Sequence, residues 1–140
     1  VAANIDPIFS READVQWIAT TSTANTTTDL TSGTTFLAFT ADATNGGFLQ
    51  KLKFRATPGT NTVATVARVW INNGSTTGTA ANNILWDEVS LPATTVSATL
   101  ATAGYDLPVN IPLPLGYRIY ITLGTAPTGT WQVTAVGGKY

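Results

Sequence analysis

The chain has 140 residues, 44% of them hydrophobic and only 11% charged, with a net charge of -1. That length fits one domain, and the balance is too apolar and too weakly charged for a disordered chain. With His 0 and Cys 0, imidazole-based triads, thiol nucleophiles and imidazole or thiolate metal sites are excluded, the near-neutral charge leaves no footprint for nucleic acid, and no apolar run reaches the ~18 residues of a membrane helix. Thr is the commonest residue, and its branched Cβ suits strands better than helices. Met is 0, which fits trimming of an initiator before the small Val1. The first residues lack the basic start and apolar stretch of a secretory signal. A product made and kept in the cytosol is expected, with a mature secreted product as the alternative.

Residues 1–12 show no periodicity. Asp6-Pro7 reads as a turn or extended dipeptide, because Pro disfavours helix at the residue before it. Ile5, Ile8 and Phe9 are apolar without a pattern. The segment reads as an extended N-terminal arm that needs another surface, or as a terminal strand folded back on its own sheet. A single β-sandwich domain over residues 13–140 is expected to follow.

Short β-like runs then recur between turn signals. Asp14 to Thr20 alternates loosely, Ser22 to Ser32 is a Thr-rich loop, and Thr34 to Thr40 is a second run. Asn45-Gly46-Gly47 predicts a tight hairpin turn. Phe48 to Thr57 is the clearest strand, with Phe48, Leu52, Phe54 and Ala56 on one face and Leu49, Lys51, Lys53 and Arg55 on the other. Thr62 to Asn72 places Val63, Ala67, Val69 and Ile71 opposite Val66, Arg68 and Trp70. Asn83 to Leu91 places Leu85, Val89 and Leu91 opposite Ile84, Trp86 and Glu88. Val96 to Ile111 is weaker, and Pro108, which has no ladder donor, makes it an edge strand or an extended segment. Tyr117 to Leu123 and Thr130 to Val136 complete the set.

Eight candidate strands without a helix or a repeat predict an all-β, two-sheet antiparallel jelly-roll-like sandwich. An immunoglobulin-like sandwich of seven is the alternative. Leu52, Phe54, Val69, Ile71, Val89, Ile119, Ile121 and Val133 are the expected core.

Eight carboxylates are present, and a glycosidase needs two converging on one bond. Asp87 and Glu88 are neighbours, so on a strand they face opposite sides and cannot form that pair without a bulge. Arg68 is expected to pair with Asp87 or Glu88 if their runs are adjacent. Asp42 to Gly46 has the oxygens of a calcium loop but neither its pattern nor its distal Glu, so it reads as a turn. Trp17, Trp70, Trp86 and Trp131 are expected in the core or at a subunit interface, with a sugar platform as the other reading. The sequons at Asn25 and Asn73 are near chance in so Asn- and Thr-rich a chain. Lys51, Lys53 and Arg55 form a cationic stripe, which is either a solvated face or a dock for an acidic protein surface. No aromatics interleave with it, against single-stranded nucleic acid.

The segments "ATVARVWINNGS" (Ala64 to Ser75), "AANNILWDEVSLPATT" (Ala80 to Thr95), "LPLGYRIYITLGT" (Leu113 to Thr125) and "WQVTAVGGKY" (Trp131 to Tyr140) resemble small head decoration, or cement, proteins of tailed bacteriophages. The resemblance covers most of the chain from about Phe54. It implies a β-sandwich that trimerises and sits on the outer capsid surface at capsomer junctions. It implies the major capsid protein and further copies of the chain as partners, with neither enzyme activity nor cofactor. No site residue is carried over from it. The residues themselves nominate Ile5, Ile8, Phe9 and Arg11 of the arm, and Lys51, Lys53 and Arg55 of the stripe, as capsid or subunit contacts. A carbohydrate- or cell-binding module is the alternative, and a small hydrolase a distant third.

Overall fold

A computed structural model describes residues 10–140. The strands are β1 (Glu12–Ala19), β2 (Phe36–Thr40), β3 (Gly47–Ala56), β4 (Thr65–Asn72), β5 (Asn83–Leu91), β6 (Tyr105–Leu113), β7 (Arg118–Leu123) and β8 (Trp131–Lys139), with one 3-10 turn at Ala80–Asn82. They pair antiparallel into two four-stranded sheets, in the orders β1-β8-β3-β6 and β2-β7-β4-β5. That order is the double Greek key of a jelly roll, and it replaces the seven-stranded alternative. Every connection crosses from one sheet to the other except the one between β4 and β5.

Period-two burial builds the core. Leu52 and Phe54 of β3, Val69 of β4, Ile119 and Ile121 of β7, and Trp131 and Val133 of β8 are fully buried, while Ile71 and Val89 pack against them from partly buried positions. Strand β6 pairs only with β3, through a register that includes Pro108 and Pro112. It is therefore the edge strand that its prolines require.

Four register shifts alter what strict alternation predicts. Two of them fall between Leu49 and Lys51 of β3. Against β6, Leu49 pairs with Ile111 and Lys51 with Pro108, so there the extra residue lies on β6. Against β8, Leu49 pairs with Gly137 and Lys51 with Val136, so Gln50 is the extra residue, and a one-residue insertion moves side chains to the opposite face. Leu49 therefore lies in the core and Phe48 is half-exposed, which reverses the expected placement of both. Gly137 pairs with Leu49 at this slip, where a Cβ would collide with the Phe48 carbonyl. Similar shifts occur on β2 at Ala38 and on β5 at Trp86.

The turn at Asn45-Gly46 is present but is not a hairpin, because it joins β2 of one sheet to β3 of the other. Asp42 Oδ2 accepts the backbone N–H groups of Thr44 and Asn45 at 3.2 and 2.9 Å. Gly46 has φ +80, and a Cβ there would lie 2.6 Å from the Leu113 carbonyl oxygen. The turn thus demands glycine both for its conformation and for its space. In the long loop after β1, Asn25 is 1% exposed. It donates to the carbonyls of Ser32 and Thr34 at 3.1 and 2.8 Å and accepts from Thr27. The first sequon Asn is therefore an internal strut of that loop.

Candidate functional site

Cross-strand register fixes what the outer face of the β1-β8-β3-β6 sheet presents, since directly paired residues share a face. One row reads Val15, Val136, Lys51, Pro108, and the next reads Trp17, Thr134, Lys53, Asp106. Ala19, Gln132 and Arg55 lie in a third row. One flank of this face is apolar and its middle is cationic.

The apolar flank is β1, whose polarity is inverted. Trp17 is 74% and Val15 50% exposed, while Asp14, Gln16 and Ile18 are partly buried. The inversion has a cause. Strand β1 is an edge, and Gln16 meets the edge of β2 in the other sheet. Its Nε2 donates to the Thr40 carbonyl at 2.9 Å, and its Oε1 accepts the Thr40 N–H at 2.9 Å. A primary amide here replaces one rung of a β-ladder, so a polar side chain is needed inward and the apolar ones are left outward.

The cationic stripe is on the same face but is partly engaged. Lys53 Nζ lies 3.6 Å from Asp106 Oδ1. Arg55 donates to the carbonyl and hydroxyl of Thr102 at 2.9 and 3.3 Å. Among the described residues Lys51 forms no ion pair. The stripe therefore carries less available charge than three adjacent cations suggest. Arg11 donates its backbone N–H to the Lys139 carbonyl at 2.6 Å, and its side chain is exposed 4.0 Å from Glu12. Ile5, Ile8 and Phe9 lie outside the described residues.

A second apolar surface lies on β5. Ile84 is 63% exposed, and Leu85 and Trp86 beside it are exposed as well. Register places Leu85 on the outer side with Trp70, and Ile84 on the inner side with Ile71. The four tryptophans thus divide evenly. Trp131 is in the core, with its ring 6.1 Å from that of Tyr105. Trp70 is 3% exposed, between Leu85 and Tyr120 in register, and donates from Nε1 to Thr122 Oγ1 at 3.0 Å. Trp17 and Trp86 face outward.

Among the described residues the carboxylates form no cluster of three or more. Glu88 accepts from Arg68 Nε at 3.0 Å, as adjacency of their strands predicts. Asp87 shares the side of Val69 instead. Asp29 is held below the usual aspartate range by the Thr31 hydroxyl and backbone N–H. Asp42 is lowered too, chiefly by the Asn45 N–H, with Thr44 and the charges of Lys139 and Arg11 adding to it. Stabilised carboxylates of this kind are poor bases. A depression of about 380 Å³ between β4 and β5 is lined by Val66, Leu91, Pro92 and Arg68, whose guanidinium Glu88 already holds.

The outward patches were the part that sequence reasoning missed. On strand β1, Ala13, Val15, Trp17 and Ala19 alternate with Asp14 and Gln16, a pattern that by itself points the apolar side chains inward and so hid the patch. The shift at Trp86 concealed the patch on β5. Fold and surface together define a jelly-roll β-sandwich with two exposed apolar flanks. The chain matches no family model, no curated protein and no solved structure.

Proposed function

We propose that this chain is a non-enzymatic structural protein of a virion. In this reading it is a decoration, or cement, protein that binds the major capsid protein on the outer surface of a phage head, stabilises capsomer junctions as a homotrimer, and is made in the host bacterial cytoplasm. The carrying observation is where the unsatisfied chemistry sits. Exposed Val15, Trp17, Ile84, Leu85 and Trp86 lie on a scaffold whose Asp29, Asp42 and Glu88 are tied to turns or an ion pair. Exposed apolar patches mark interaction surfaces. The resemblance of the segments from Ala64 onward supplies the kind of partner. Several weak contacts from one symmetric assembly reinforce one another through effective concentration, which suits a protein that clamps junctions without one deep site.

The test uses shells stripped of the protein. Purified chain should sediment with them at a fixed, saturable stoichiometry. Deletion of residues 1–9 should leave a folded sandwich that no longer binds, and charge reversal at Lys51 and Lys53 should weaken binding mainly at low salt, where screening is least. Unchanged decoration by the deleted form would move the contact from the arm to the sheet face. Absence of binding by the full chain would end the reading.

One observation favours a second reading. Trp17 stands exposed on a sheet face beside Thr134, the arrangement by which a flat aromatic and nearby hydroxyls hold a sugar ring. A glycan array that the chain binds and Trp17→Ala does not would select a carbohydrate- or cell-binding module.

A further inference from the structure

Two exposed apolar flanks on one small sandwich invite a question of geometry. Strand β1 is an edge of one sheet, and β5 is an edge of the other. Residues of β1 reach across to β2, as the Gln16 to Thr40 bonds record. The β1 edge therefore lies over β2, and β5 lies three strands away at the far side of the opposite sheet. With strands ~4.8 Å apart and sheets ~10 Å apart, the Trp17 and Trp86 flanks point away from each other and cannot meet within one copy.

The two flanks also differ in charge. Val15 and Trp17 share their rows with Lys51 and Lys53. Leu85 and Trp86 are followed directly by Asp87 and Glu88. Among the described residues neither Lys51 nor Asp87 forms an ion pair.

We infer that these flanks are the two sides of one contact between copies of this chain, in which the Val15–Trp17 face of one copy seats against the Ile84–Trp86 edge of the next. The inference deepens the self-association within the reading above and rests on it. Different patches meeting head to tail make a heterologous interface, which closes into a ring or runs on as a filament. A trimer is the closed form. The other edges are less suited to the role. Strand β6 carries Pro108 and Pro112, and in β2 Gln16 occupies both backbone groups of Thr40. The shift at Trp86 interrupts the ladder on β5, so side chains rather than strand addition make the contact. Exposed tryptophan is the residue type that dominates such interfaces.

Sedimentation of the free protein, without shells, tests this. The full chain should run as a multiple of 14.6 kDa, and Trp17→Glu and Trp86→Glu should each run as monomers with an unchanged far-UV spectrum. Mixing the two variants should restore one contact, because one still offers an intact β5 edge and the other an intact β1 face. The product should be a heterodimer that grows no further. If Trp17→Glu disturbs folding, Val15→Glu serves in its place. A monomeric full chain, a variant that still assembles, or a mixture that stays monomeric would each overturn the inference. A monomeric chain that nevertheless decorates shells would overturn it while leaving the proposed function standing, with the flanks then belonging to the capsid contact.

Discussion

Gln16 points inward at a place where only polar backbone awaits it. Both groups of its amide are used, one on each backbone atom of Thr40. Gln16→Leu would leave that N–H and carbonyl without partners in a partly buried setting, at a cost of about 1–3 kcal/mol. Urea unfolding should show the loss as a lower midpoint with an unchanged slope. Asp42 governs the arch between the sheets, and its carboxyl is held below the usual range mainly by the Asn45 N–H. A depressed folded-state value means that the native state favours the charged form. The stabilisation is therefore complete above the unfolded value and is lost as pH falls through the folded one. Asp42→Asn should melt at a lower temperature near neutrality, and the gap from the parent should close in acid. A gap that is constant across pH would show that charge has no part in the turn.

At the scale of elements, β7 is the strand least able to tolerate change, because β2 and β4 flank it and Ile119 and Ile121 are fully buried. Ile119→Ala should cost about 2–5 kcal/mol, depending on how far the surrounding core collapses into the space. Denaturant titration of the variant measures it directly. Element existence was legible wherever apolar and polar residues alternate, as in Tyr117 to Leu123, and Pro108 marked its segment as an edge strand or an extended stretch. Strand order was not legible, because nearly every pairing joins distant segments and no residue type encodes its partner. The faces of Phe48 and Leu49 were misread for a local reason. An inserted Gln50 leaves composition and propensity unchanged while inverting the side on which each neighbour lies. The Asn45-Gly46 signal was read correctly as a turn and wrongly as a hairpin, since positive φ at Gly46 suits an arch between sheets equally well. The candidate surface was half legible. The cations of Lys51, Lys53 and Arg55 stood out, but their links to Asp106 and Thr102 depend on β6 and the segment before it lying alongside β3. Trp17 and Trp86 could not be told from Trp70 and Trp131 without register.

For the molecule as a whole, the first and last strands are neighbours. The Arg11 N–H meets the Lys139 carbonyl at 2.6 Å, and the Tyr140 N–H reaches Gly46 at 3.3 Å. The two ends of the sandwich therefore emerge side by side at one pole, while residues around Leu100 form an exposed stretch between β5 and β6. The chain can accordingly be thought of as a closed loop whose point of opening is a matter of choice. A circular permutant of residues 10–140, with a short linker from Tyr140 to Ser10 and new ends at Leu100, should fold to the same far-UV spectrum and a similar melting temperature, because exposed tips tolerate such cuts. For display, a passenger fused after Tyr140 would lie beside Arg11 at that pole, whereas one carried at Leu100 would project from a different site and leave that pole free.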